Sequence, residues 1–188
     1  MPKIKWSCVT REERFFTSFL FHDLLQNADP FWKKLNKQIG LSFQIKVDDV
    51  GFEVCFFRDA AVKKLISKRE PKLEKQTFDL VLWLSNQSMV IIEAKAQQGF
   101  HLDQINALCN SRKIMLDIVT TDYPIKEIYL VGLCSSKYKL KDSTKDKFRT
   151  IIHWSTIADL YPSHEKEYKR ANKIYRDTNK KSEDKEKH

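Results

Sequence analysis

Residues Phe78 to Phe100 read FDLVLWLSNQSMVIIEAKAQQGF and carry the clearest structural pattern in the sequence. Two apolar runs flank a short polar segment, which is the pattern of two β-strands joined by a turn. Apolar residues occupy both faces of each strand, as is typical of central strands that are covered on both sides. One face holds Leu80, Leu82, Leu84, Val90 and Ile92, and the other holds Val81, Trp83, Met89 and Ile91.

Three charged residues interrupt these apolar strands. Because side chains alternate across a strand, Glu93 and Lys95 share one face of theirs. Asp79, on the preceding strand, joins them if the turn holds three residues or if a bulge adds one. A four-residue turn from Ser85 to Ser88 would place Asp79 on the opposite face, with Ala94. Grouping the three charges therefore requires an odd turn or a bulge.

Such a group of charges predicts a metal site. Burying two carboxylates and an ammonium is costly unless they are paired or bind a metal ion. Mg²⁺ or Mn²⁺ suits hard oxygen ligands, which here include the carboxylates and a backbone carbonyl such as that of Ala94. A metal ion activates water for attack on phosphorus. Lys95, next to the metal, would polarise that water and stabilise negative charge on the phosphate.

At these residues the sequence resembles the PD-(D/E)XK nuclease superfamily, the fold of many restriction endonucleases and junction resolvases. The resemblance consists of FDLVLWL, thirteen residues between the two acids, and IIEAK. Phe78 stands where the proline of the family's name would be. The resemblance implies that Asp79 and Glu93 are metal ligands and that Lys95 is the catalytic lysine.

The same resemblance implies two further site residues on helices. The family usually adds an acid from the first helix as a metal ligand, and Glu13 fits this role best, with Glu12 as the alternative. A glutamine often follows on the helix after the second strand, where Gln104 stands. Each residue also has a simpler interpretation: Glu13 as the acid of a capping box with Thr10, and Gln104 as a polar residue on an exposed helix face.

The rest of the chain predicts alternating helices and strands. Asp48 and Asp49 are interpreted as turn residues and Asp59 as a helix cap. His101, at the start of a helix, could bind phosphate, although such histidines are commonly exposed surface residues. The predicted helices are residues 10–25, 30–40, 59–69, 101–119 and 156–161, the last capped by Ser155, and the predicted strands are residues 42–47, 52–57, 127–136 and 148–154.

Composition excludes several function classes. The four glycines cannot form a P-loop or a dinucleotide-binding fingerprint. The four cysteines are too widely spaced for zinc binding, and they indicate a reducing compartment. With 34 basic against 25 acidic residues, the net charge of +9 favours a polyanionic partner, nucleic acid first. A basic, solubilising surface would give the same number.

Together these features predict an α/β domain with a restriction-endonuclease-like, three-layer core, in which helices flank a central mixed sheet. We expect it to span residues 1–162, followed by a charged helical or disordered tail, 163–188. No signal peptide and no run of 18 apolar residues is present, so a cytoplasmic location and no membrane partner are expected.

The predicted activity is metal-dependent endonuclease hydrolysis of phosphodiester bonds in DNA, with RNA as the other possible substrate and a homodimer as a possible assembly. An alternative is a catalytically inactive module of the same fold that binds nucleic acid or serves in assembly.

Overall fold

The computed structural model of the chain describes residues 12–64, 76–118 and 125–175. Five strands form one mixed sheet in the order β1-β2-β3-β4-β5. The first three pair antiparallel, and β3, β4 and β5 run parallel. The elements are α1 (Glu13–Gln26), α2 (Asp29–Ile39), β1 (Val47–Val54), α3 (Phe56–Val62), β2 (Phe78–Leu84), β3 (Ser88–Ala94), α4 (Leu102–Ile118), β4 (Glu127–Cys134), α5 (Asp142–Lys145), β5 (Thr150–His153), α6 (Trp154–Leu160) and α7 (Glu165–Lys173).

Helices cover both faces of the sheet, which confirms the predicted three layers. On one face the leucines of β2 belong to an apolar core shared with α1, α2, α6 and α7, and on the other Val81 and Ile91 belong to a core shared with α3 and α4. The two apolar sets predicted for the hairpin strands face these two cores as expected. Among the described residues, no helix is long and apolar enough to cross a membrane.

The turn between β2 and β3 has an odd number of residues, as the grouping of the three charges requires. Trp83 pairs with Met89 and Leu80 pairs with Ile92, which leaves residues 85–87 as a three-residue loop. Gln87 adopts a left-handed conformation with φ of 66°, as is common at the last position of such loops. Continuing this register places Asp79 directly opposite Glu93.

The segment before the hairpin corrects one prediction. In place of two strands around a turn at Asp48 and Asp49, a single strand, β1, runs through both residues. They are exposed on this edge strand, and the pairing register shifts between Val47 and Asp49. Gly51 gave a misleading turn signal, since a Cβ there would lie 2.8 Å from the Trp83 ring. The glycine permits close packing of β1 on β2.

Smaller differences concern the ends of elements. Phe56 and Phe57 begin α3 rather than ending a strand, and Asp59 lies inside that helix instead of capping it. Helix α6 begins at Trp154, so Ser155 lies in its first turn. The short helix α5 was not predicted. Thr10 lies outside the described residues, so the proposed capping box does too.

The segment after residue 162 is partly buried, which its charged composition did not indicate. The side chains of Tyr168 and Ala171, on α7, are fully buried in the core that also contains α1. Asp23 of α1 holds this segment, since its carboxylate accepts hydrogen bonds from Ser163 Oγ (3.1 Å) and Tyr168 Oη (2.5 Å) and lies 2.9 Å from His164 Nδ1. A domain boundary at residue 162 stays a prediction, and residues 176–188 lie outside the described ranges.

We expect Asp23→Ala to lower the free energy of unfolding by about 3 kcal/mol, because it leaves the buried Tyr168 hydroxyl without its acceptor. In a chain of this size the melting temperature should fall by roughly 6–12 °C. Asp159→Ala, which removes an exposed acid on α6, is the matched control and should change little. Equal melting temperatures for the two variants would contradict this account of how α7 is held.

Candidate active site

The carboxyl end of β3 holds a buried ion pair. Lys95 Nζ donates a hydrogen bond to Glu93 Oε1 at 2.6 Å, and the side chains are only 9% and 3% exposed. The Lys95 backbone is fixed on both sides. Its N–H donates to Leu133 O at 2.7 Å, and its carbonyl accepts from the indole N–H of the buried Trp154 at 2.9 Å. These bonds fix the backbone from which the lysine side chain extends.

Asp79 reaches the same place from the start of β2. Its Oδ2 accepts a hydrogen bond from the Ala94 N–H at 2.8 Å, which ties the aspartate to the strand that carries Glu93. The carboxylate is largely buried. The predicted grouping of Asp79 with Glu93 and Lys95 on one side of the hairpin is therefore present in the structure.

The first helix contributes an acid, as expected. Glu13 Oε2 lies 3.8 Å from Lys95 Nζ, and the Ala96 N–H donates a hydrogen bond to the same carboxylate. Glu13 is the first residue of α1 and is about one-third exposed, so it lies at the rim of the cluster. Glu12 is exposed at the N-cap position, which leaves Glu13 as the helix acid at this site.

Gln104 completes the group from the first turn of α4. Its Nε2 donates to Glu93 Oε1 at 2.5 Å, the same oxygen that accepts from Lys95. Gln104 thus contacts the cluster and is not merely a polar residue on an exposed helix face. His101 lies exposed just before this helix, and the preceding loop carries the exposed Gln98.

Two residues near the cluster were missed from the sequence. Glu53 of β1 lies beside Asp79, between the register pairs Phe52–Leu80 and Val54–Phe78. It adopts a φ of 49°, and its Oε1 pairs with Arg14 Nε at 2.5 Å. Arg14 could have been noticed because it follows Glu13 in the sequence. Nothing in the sequence pattern of β1 marks Glu53.

Crowding of buried acids shifts their proton affinities. Burial, reinforced by the charge of Asp79, raises the pKa of Glu93 to about 7 even though Lys95 opposes the shift. Burial also raises the pKa values of Asp79 and Glu13. For Lys95, burial acts to lower the pKa, but the surrounding carboxylates outweigh it and the pKa is raised. The lysine is therefore a protonated cation that partly offsets the negative charge.

The donor set fits a hard divalent cation. Asp79, Glu93 and Glu13 offer carboxylate oxygens, and the raised pKa values of all three show that a further positive charge would stabilise their ionised forms. In the described part of the chain, no three His, Cys, Asp or Glu side chains stand arranged as a ready-made metal cage. Metal binding would therefore require side-chain movement, in particular of the Lys95–Glu93 contact.

Comparison with known proteins agrees with this geometry. A family model described as the PD-(D/E)XK nuclease superfamily matches residues 12–182, which is most of the chain. No curated protein and no solved structure matches at the significance that we required.

Glu93 should make the stability of the metal-free protein depend on pH. Its pKa is about 7 in the folded chain against 4.5 for an unperturbed glutamate, so between these values the folded state keeps a proton that the unfolded state has lost. The free energy of unfolding should therefore fall as the pH rises from about 4.5 to about 7, by on the order of 2 kcal/mol. Urea denaturation across this range, without divalent ions, measures the change.

Glu93→Gln should flatten this pH dependence, since the amide does not titrate, whereas the exposed-acid control Asp48→Asn should keep it. An unchanged slope in Glu93→Gln would show that the dependence arises elsewhere.

Proposed function

Because the chain belongs to the PD-(D/E)XK nuclease superfamily, we propose that it is a metal-dependent nuclease that hydrolyses phosphodiester bonds in DNA. One observation carries the proposal: three carboxylates from β2, β3 and α1 surround a single buried ammonium, that of Lys95. Burying these charges together lowers the stability of the fold, so their presence favours a functional role. It is suited to a reaction in which charge develops on a phosphate.

Asp79 and Glu93, with the backbone carbonyl of Ala94, would hold Mg²⁺ or Mn²⁺, and Glu13 would complete the ligands from the rim. The bound ion would supply Lewis-acid stabilisation of the phosphate and make water a better nucleophile at neutral pH. The Ala94 N–H helps here, because its bond to Asp79 Oδ2 holds that carboxylate against β3.

Lys95 would act on the reacting groups directly. Once a cation neutralises Glu93, the lysine Nζ is released from its 2.6 Å contact and can orient the attacking water or donate to a phosphate oxygen. The Lys95 backbone would stay in place during this release, since Leu133 and Trp154 hold it independently of the contact with Glu93. Gln104 would keep Glu93 oriented during the exchange. The product end expected for attack by water in this family is a 5′-phosphate.

The second candidate is a nucleic-acid-binding or assembly module that has this fold but no hydrolytic activity. The observation in its favour is that Glu93 Oε1 already accepts hydrogen bonds from both Lys95 and Gln104. A metal ion at Glu93 would displace the Lys95 contact, whereas a module that only binds nucleic acid can keep it. The net charge of +9 serves either function, because backbone attraction carries no sequence information.

Lys95→Ala should lower the rate of DNA cleavage by about 10²–10⁴-fold, because the variant loses proton handling and charge stabilisation at the phosphate. The assay follows nicking of supercoiled plasmid and cleavage of a single-stranded DNA circle with Mg²⁺ or Mn²⁺. Lys33→Ala, on the exposed side of α2, is the control of equal charge change and should cleave normally. Equal cleavage by Lys95→Ala and wild type would reject the role given to this lysine.

Metal binding separates the two candidate functions. Calorimetric titration with Mn²⁺ should show binding that Asp79→Asn and Glu93→Gln each weaken at least about tenfold, since each removes a charged oxygen ligand. Wild-type protein that binds DNA but neither takes up Mn²⁺ nor cleaves would instead establish the binding module.

A further inference from the structure

A cavity of about 610 Å³ opens between the loop after β3 and the segment after β4. Its volume lies within the range of about 300–1,000 Å³ that is usual for sites that bind small molecules or parts of larger ligands. The walls combine aromatic rings with a lysine, a histidine, a serine and a threonine. They include Phe100, Tyr138, Tyr175, His101, Lys141 and Ser143.

The cavity lies next to the acid cluster. Strands β3 and β4 are parallel neighbours, so the loops that follow them emerge at the same edge of the sheet, where Glu93 and Lys95 lie. Gln98, which lines the cavity, follows Lys95 by three residues, a span of at most about 11 Å. Leu102, at the other end of the loop, precedes Gln104 by two residues. A strand of nucleic acid bound at the acid cluster would therefore lie within a few nucleotides of the cavity.

The aromatic wall is held in place by its neighbours. The ring centroids of Phe100 and Tyr138 are 5.8 Å apart, and those of Tyr138 and Tyr175 are 5.3 Å apart. The Phe100 N–H donates to Tyr138 Oη at 3.2 Å. A Cβ on Gly99 would lie 2.4 Å from the Tyr138 ring, so the loop rests directly on that ring. These contacts make a preformed surface and leave little for a ligand to organise.

We propose that this cavity binds an unpaired base of the substrate, close to the bond that is cut. The proposal rests on the proposed nuclease function and names its substrate class. Bases stack on aromatic side chains without regard to sequence, and Lys141, exposed at the cavity, is suited to the adjoining phosphate. A base inside an uninterrupted duplex cannot enter, because its faces are covered by its neighbours. The preferred substrates are therefore single strands, or duplexes with flaps or unpaired ends.

The binding test uses wild-type protein in the presence of EDTA, so that it does not depend on cleavage. Fluorescence anisotropy compares a labelled single-stranded oligonucleotide with the blunt duplex of the same sequence. We expect the single strand to bind about tenfold more tightly, the effect of roughly one stacked base. A single strand of the same length built entirely of abasic residues should lose this advantage, since it keeps the phosphates and has no base to stack. Equal affinities for single strand and duplex, or equal binding of the abasic strand and the normal strand, would overturn the proposal.

Variants assign the effect to the cavity. Ser143→Leu places a bulky side chain without a flat ring in the cavity and should remove the single-strand advantage while leaving duplex affinity unchanged. Lys141→Gln should reduce the single-strand advantage about threefold through the lost phosphate contact. Lys145→Gln changes an exposed lysine at the end of α5 that does not line the cavity, so it is the matched control and should behave as wild type. Equal loss for single strand and duplex in Ser143→Leu would overturn the proposal.

Circular dichroism checks the fold of each variant, and should Ser143→Leu not fold, the abasic strand on the wild-type chain and Lys141→Gln decide the question. The two proposals can fail separately. A single-strand preference that requires the cavity, without cleavage of any substrate, would reject the nuclease and keep the cavity assignment. Cleavage with equal affinity for single strand and duplex would do the reverse.

Discussion

The contact between Glu93 and Lys95 is the interaction on which the site depends. Two buried carboxylates on neighbouring strands, Asp79 and Glu93, repel each other, and burial removes the water that would otherwise weaken that repulsion. The lysine ammonium offsets this charge only in part, because burial, together with the charge of Asp79, still raises the pKa of Glu93. The fold therefore maintains an excess of negative potential at one end of its central strands. That excess is what a divalent cation would relieve.

The rest of the sheet serves to keep this group in place. Leu133 on β4 and Trp154 at the start of α6 hold the backbone of Lys95, and Ala94 holds Asp79. The two apolar cores above and below the sheet fix the strands themselves. Backbone partners that hold charged groups in place reduce the reorganisation needed before reaction to the opening of the Lys95–Glu93 contact, and small reorganisation is the physical basis of electrostatic catalysis. The C-terminal segment takes part as well, because Asp23 joins it to the helix that begins with Glu13.

The sequence predicted the hairpin well because its pattern is redundant. Alternation assigned the leucines to one face, and the position of the charges required an odd turn, which Gln87 provides. The predictions were wrong where one residue type can have two structural roles. Gly51, next to two aspartates, indicated a turn, but it is needed for packing against Trp83. Likewise the charged composition of α7 did not indicate that Tyr168 is buried, because its burial depends on Asp23, which is distant in the sequence. Glu53 could not have been found, since only the pairing of β1 with β2 places it beside Asp79.

The three-residue loop at the tip of the hairpin has a consequence for how this chain can vary. An added residue leaves Asp79 opposite Glu93 when it is taken up as a fourth loop residue, whereas a loop that kept three residues would shift β2 by one position against β3 and turn Asp79 to the other face. Surface loops ordinarily tolerate such length changes at small thermodynamic cost. This loop lies far along the strands from the acids, so a change in its length can disturb them only through the strand register, which the two apolar faces of the hairpin also hold.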